Sequence, residues 1–151
     1  MRYELVFPNK IKIADKEVVF PNETVITKIQ SLSEVVCFNT SPLESDLDWN
    51  NSKTHQIWKE RCKNNPSELF CYTINGNLKW KFAEGNVVGF GKIDLEKLTE
   101  SDFITPEHYK KYMEKYRDKE LIEVYSSNWP YDFRYVVDAN TGEIYDKIES
   151  R

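Results

Sequence analysis

Two apolar runs joined by a short polar turn, at residues 69–82, predict a tight β-hairpin. The turn at 75–76 is Asn-Gly, a dipeptide that tolerates the positive φ angles of a two-residue hairpin loop. On the return strand Leu78, Trp80 and Phe82 alternate with lysines, so these three side chains are predicted to share one buried face. A chain organised around such a hairpin is expected to form an antiparallel sheet.

Most of the remaining chain consists of similar short runs separated by turns. Together with the hairpin, about ten strands are predicted, at residues 10–13, 17–20, 24–30, 35–38, 69–74, 78–82, 87–93, 121–125, 133–138 and 143–148. The run at 35–38 is apolar throughout, which indicates a strand buried on both faces. Short connections favour antiparallel meanders over parallel crossovers. We therefore expect an α+β fold that is mainly β, with a meander or sandwich-like sheet.

Two helices are predicted among the strands. The first, at about 51–64, is a helical insertion that Ser52 is expected to cap. The second, at about 105–119, has Thr105 at the cap position and Pro106 at the first helical position. Tyrosine and methionine side chains recur along it at helical spacing and give it an apolar face. A chain of 151 residues is expected to form a single domain.

The net charge of −4 and the pI near 5.3 argue against general nucleic-acid binding, which needs a basic surface. Five basic and two acidic side chains lie between residues 110 and 119, and a solvated helix face explains them better than nucleic-acid contact. No apolar run is long enough for a signal peptide or a membrane span, so no membrane association is expected. The chain has three cysteines, an odd number, at irregular spacing: Cys37, Cys62 and Cys71. This pattern favours free thiols in a reducing, cytoplasmic setting.

The sequence contains no catalytic constellation. His55 and His108 have no second ligand at metal-binding spacing, so neither a metal nor another cofactor is expected. The segment from Asp46 resembles the start of a calcium loop, but it has Asn51 where that loop requires Gly and Ile57 where it requires Glu. We therefore expect that the protein is not an enzyme.

Two segments are candidates for binding a partner. In the first, Glu44, Asp46 and Asp48 precede Trp49, which combines charge for steering with an aromatic anchor; the alternative is a solvated acidic loop. Trp58, on the predicted helical insertion, extends this candidate surface. The second segment contains Trp129 and Tyr131, which form either a sugar- or peptide-binding loop or a plug at one end of a sheet.

Four pieces of the chain carry a resemblance to a known family. They are a pair of short strands at 11–20, the V-V-x-x strand at 35–38, C-Y-T-x-x-G-N-L-x-W at 71–80, and Y-x-x-D-x-x-T-G-x-I at 135–144. This order is similar to that of small bacterial immunity proteins of polymorphic or contact-dependent growth inhibition toxin systems, although Thr73 stands where the family pattern has Asp.

The resemblance implies a cytoplasmic protein that binds the C-terminal domain of a cognate toxin and blocks its active site. An acidic inhibitor suits a basic toxin domain, such as a nuclease. Residues 40–65 replace a short loop of the family pattern and are expected to be particular to one partner. A non-catalytic carbohydrate- or peptide-binding β module is the alternative function.

Overall fold

The computed structural model describes residues 3–128 and 130–149, and this part of the chain contains eleven strands and two α-helices. The strands are β1 (Tyr3–Val6), β2 (Lys10–Ile13), β3 (Lys16–Val19), β4 (Thr24–Ser31), β5 (Val35–Pro42), β6 (Glu68–Thr73), β7 (Leu78–Lys81), β8 (Val87–Ile93), β9 (Leu121–Asn128), β10 (Tyr131–Asp138) and β11 (Ile144–Glu149). The helices are α1 (Thr54–Asn64) and α2 (Pro106–Tyr116). The predicted mainly β fold is confirmed, with eleven strands where about ten were expected.

The strands form three antiparallel sheets. The first sheet has the order β1-β2-β3, the second β4-β5-β6-β7 and the third β11-β10-β9-β8. The second sheet lies in the middle, because one of its faces packs on the first sheet and the other on the third. Helix α2 covers the far side of the third sheet. Every layer therefore buries one apolar face against a neighbour, as a stable domain requires.

Strand β5 explains why the second sheet can sit between two others. Its side chains at Val36 and Phe38 enter the core with the first sheet, while Val35 and Cys37 enter the core with the third. All four are fully buried, which confirms the prediction from the apolar run at 35–38. Alternation along a strand sends successive side chains to opposite faces, so a strand covered on both sides must be apolar at every position.

The β6–β7 hairpin forms where the Asn-Gly turn predicted it. Gly76 has a φ of 89°, and a Cβ atom there would lie 2.7 Å from the carbonyl oxygen of Ile13 in the first sheet. The predicted common face of the return strand is wrong at Leu78, which is 56% exposed. A register shift pairs Cys71 with Trp80 but the next residue with Leu78, so Lys79 is an extra residue that reverses the alternation.

Helix α2 begins as the sequence indicates. The Thr105 hydroxyl accepts a hydrogen bond from the backbone N–H of His108 at 3.1 Å, and Pro106 takes the first helical position. Tyr116 is buried against the third sheet with Tyr112 beside it. The helix ends three residues before the predicted boundary at 119, and its tyrosine face is what holds it on the sheet.

Candidate binding surface

The predicted insertion is present as a segment between β5 and β6, and we call residues 43–65 the arm. Both ends of the arm are tied to β4 or to the residue before it. The backbone N–H of Leu43 donates to the Glu23 carbonyl at 2.7 Å. At the other end, the buried hydroxyl of Thr24 donates to the side-chain oxygen of Asn65 at 2.9 Å, and the Asn65 amide donates to the Arg61 carbonyl. The arm is thus anchored at both ends by hydrogen bonds, and those of Asn65 are buried.

Arg61 fixes the loop of the arm to its helix. This side chain is only 7% exposed, and its guanidinium donates to the Leu43 carbonyl at 2.7 Å and to the Asp46 carboxylate at 2.6 and 3.3 Å. The Glu23 carboxylate lies 4.0 Å from its Nε atom. The hydrogen bond from Arg61 lowers the pKa of Asp46 below its ordinary value. Asp46, one of the predicted partner-binding residues, is thus half exposed and paired with Arg61 within the arm.

The start of α1 differs from the prediction. The helix begins at Thr54 with Lys53 at the cap position, and no side chain caps it there, so the expected cap at Ser52 is wrong. The preceding loop is held by other bonds: the Thr54 hydroxyl donates to the Asp48 carbonyl, and the Asp48 carboxylate accepts from the Asn50 N–H at 3.0 Å. These bonds give the residues around Trp49 a defined path across the end of the helix.

Two tryptophans of the arm form a pair at its surface. The rings of Trp49 and Trp58 are 6.0 Å apart between centroids and meet at 68°, an edge-to-face arrangement. Trp49 is 48% exposed and Trp58 is partly buried, while Ile57 beside it on α1 is also exposed. The sequence predicted both tryptophans as site residues, and the structure brings them together across nine positions of the chain.

A groove of about 460 Å³ lies next to this pair. Its lining is mixed. The apolar side chains are Phe7, Val25, Pro42, Leu43, Trp58 and Val88, and the polar ones are Thr27, Ser41, Glu44, Ser45 and Ser67. Phe7 is 66% exposed and Val88 is also exposed, so large apolar groups here remain in contact with water. Such a concentration of exposed apolar side chains is typical of an interaction surface.

The groove lies where the edges of two sheets meet. β4 is an edge strand of the second sheet and β8 an edge strand of the third, and each has a register shift at the groove, at Thr27 and at Val88. Lys28 ties the two edges together, because its ammonium donates to the Phe90 carbonyl at 2.6 Å. Bulges at an edge turn side chains outward and interrupt pairing with a further strand. The surface therefore exposes side chains in place of a regular strand edge.

The second predicted segment is described only in part. Trp129 lies outside the described residues, and Tyr131, at the start of β10, is exposed with its ring 6.3 Å from that of Phe133. His55 and His108 are both exposed, and the ring of His108 lies against Phe103.

Sequence reasoning missed Arg61, Phe7 and Val88 as parts of the candidate surface. The one usable signal was the helical spacing that places Arg61 on the same face of α1 as Thr54, which is also buried. Phe7 and Val88 come from distant segments, and the sequence carries no sign that they meet.

Two further properties bear on what the chain can bind. Across residues 3–128 and 130–149, no three His, Cys, Asp or Glu side chains are grouped so that they could hold a metal ion. In the same residues, neither α-helix has the length and apolar character needed to cross a membrane.

Comparisons of the chain with protein-family models, with curated proteins and with solved structures find no match.

Proposed function

We propose that this protein is a cytoplasmic immunity protein that binds a toxin domain and blocks its active site with the arm. The observation that carries the proposal is the Trp49–Trp58 pair at the surface beside a largely apolar groove, on an arm whose loop the buried Arg61 holds against its helix. The family resemblance of the hairpin and strand motifs supports the same function from the sequence.

The geometry suits binding energetically. Tryptophans are the residues that most often dominate protein–protein binding energies, and they do so when surrounding contacts exclude water. Here the groove walls beside Trp58 supply those surrounding contacts. Association also costs the ordering of flexible loops, and a loop already held by the Arg61–Asp46 pair loses little further entropy on binding.

The carboxylates beside the tryptophan pair indicate the chemistry of the partner. Because Asp46 is paired with Arg61, the carboxylates of the predicted site that remain to meet a partner are Glu44, which lines the groove, and Asp48, next to Trp49. In a chain of net charge −4, these carboxylates favour a basic partner and increase its rate of association. A nuclease toxin has a cationic phosphate site, in which carboxylates of the arm can take the place of substrate phosphates.

Co-expression with a toxin domain encoded beside this gene tests the proposal. We expect growth to be rescued and the two chains to co-elute as a complex. Trp49→Ala is expected to weaken binding by about 2 kcal/mol, or roughly 30-fold, without loss of folded protein.

Tyr131→Ala is the matched control, since this side chain is as exposed as Trp49 and belongs to the alternative ligand loop. Absence of rescue together with absence of a complex at micromolar concentrations would refute the proposed function. Loss of toxin binding in the Tyr131 variant alone would place the binding surface at the Tyr131 loop and not on the arm. Binding of an oligosaccharide or peptide that is lost in the Tyr131 variant, without any toxin complex, would favour the alternative function.

A further inference from the structure

Cys37 and Cys71 face each other in the centre of the second sheet. They are direct partners on β5 and β6, their Sγ atoms are 3.3 Å apart, and both side chains are fully buried. The three cysteines of the described residues are free thiols, and Cys62 lies apart from this pair, on α1. Nothing in the proposed binding function uses the buried pair.

The register of the sheet places the pair at a position that accepts a cross-strand disulfide. The N–H of Ile74 donates to the Glu34 carbonyl, so residues 34 and 74 form a hydrogen-bonded pair. Such pairs alternate along an antiparallel ladder, which makes the Cys37–Cys71 pair, three positions further along, a non-hydrogen-bonded one. Cα atoms approach to about 4.5 Å at these positions, which is within the span of a disulfide.

The hydrogen bonds of the two thiols also permit oxidation. The Cys37 thiol donates to the sulfur of Cys71, and the Cys71 thiol donates to the Ala139 carbonyl at 3.4 Å. That carbonyl also accepts from the Trp80 indole N–H at 2.9 Å. Loss of both thiol protons therefore leaves the Ala139 oxygen with a donor, and no buried polar atom loses its last partner.

We propose that Cys37 and Cys71 are a covalent modification site, a dithiol that closes to an intrachain disulfide by exchange with a low-molecular-weight disulfide such as oxidised glutathione. One cysteine thiolate attacks the glutathione disulfide and releases one glutathione thiolate. The other then attacks the mixed disulfide at the protein sulfur and releases the second. Two protein thiols become one disulfide, one glutathione disulfide becomes two glutathione thiols, and the two protons pass to the departing thiolates.

Burial decides when this exchange occurs. In the folded dithiol the hydrogen bond with Cys71 and burial both raise the pKa of Cys37, so the reactive thiolate is disfavoured there. In a reducing cytoplasm the pair is expected to stay a dithiol, so exchange is expected under oxidising conditions, during folding or when β5 and β6 separate. Once closed, the bond is shielded from reductants by the same burial.

The test is refolding of the full-length chain from denaturant, with and without a mixture of oxidised and reduced glutathione. The products are trapped with an alkylating agent, and intact mass and peptide mapping locate the bonds. We expect a Cys37–Cys71 disulfide, with Cys62 alkylated or carrying glutathione. Since the two residues are 34 positions apart, the disulfide is expected to raise the melting temperature by about 10 °C.

Cys62→Ser is the matched control and should leave both the bond and the rise in melting temperature unchanged. The proposal is overturned if the refolded native chain keeps Cys37 and Cys71 as free thiols, or if either of them pairs with Cys62. It is also overturned if the cross-linked chain melts at a lower temperature than the dithiol form.

Discussion

Replacement of Arg61 by alanine is expected to release the loop of the arm from its helix. The change removes the hydrogen bond to the Leu43 carbonyl, a charge-assisted bond that contributes about 1.5 kcal/mol. It also removes the buried methylenes of the side chain, which contribute about 2 kcal/mol. Asp46 is exposed and regains water, so its lost bonds add little. We expect the free energy of unfolding to fall by about 3.5 kcal/mol and the melting temperature by about 7–14 °C.

Two controls separate the causes of this loss. Arg61→Met keeps most of the buried stem but none of the hydrogen bonds, so it should recover the packing part of the loss. Lys63→Ala changes an exposed cation two positions further along the helix and should stay within about 0.5 kcal/mol of the unmodified chain.

Urea unfolding followed by circular dichroism measures the global effect, and amide hydrogen exchange of residues 43–65 measures release of the arm alone. If the arm opens without unfolding the sheets, exchange in the arm accelerates while the urea midpoint barely moves. An alanine variant with unchanged unfolding free energy and unchanged exchange would refute the anchoring function of Arg61.

Two further perturbations test the arm and the hairpin turn. Because the guanidinium lowers the pKa of Asp46, the Arg61–Asp46 pair stabilises the arm fully at pH values above the ordinary carboxyl pKa of about 4. This stabilisation is lost as the pH falls through the lower pKa of the folded state, so amide exchange in the arm should accelerate over that acidic range. Asp46→Asn should abolish this pH dependence. Gly76→Ala should lower the free energy of unfolding, measured in urea, by at least about 2 kcal/mol, because the new Cβ meets the Ile13 carbonyl at a residue with positive φ. Gly89→Ala is the control and should leave the free energy of unfolding nearly unchanged, because no atom lies within 4 Å of a Cβ there.

Local signals predicted the elements that depend on local chemistry. The Asn-Gly turn and the Thr-Pro helix start were correct because each meets a backbone requirement within a few residues. β1 was missed because most of its side chains are exposed and it lacks alternation. It is a strand because its backbone pairs with β2, and nothing in its own composition reveals that pairing.

The irregularities of the sheets could not be predicted for a related reason. Each of the extra residues, Thr27, Lys79 and Val88, reverses the alternation of its strand. In the sequence, such a reversal shows only as an apolar side chain at a position where the alternation predicts a polar one. Two of these bulges, at Thr27 and Val88, help to form the groove. The acidic residues and tryptophans of the arm were identified from composition, but the apolar half of the surface was not, because the sheet edges place it there.

The residues that anchor the arm are different from the residues that it exposes at its surface. Arg61 and Asn65 make their bonds to backbone carbonyls, to Asp46 and to Thr24, and none of these bonds involves Trp49. Substitutions of the exposed arm side chains therefore change the surface offered to a partner at little cost to the sheets. An inhibitor that must follow a changing partner needs this arrangement, because affinity then depends on a few exposed groups while stability depends on others.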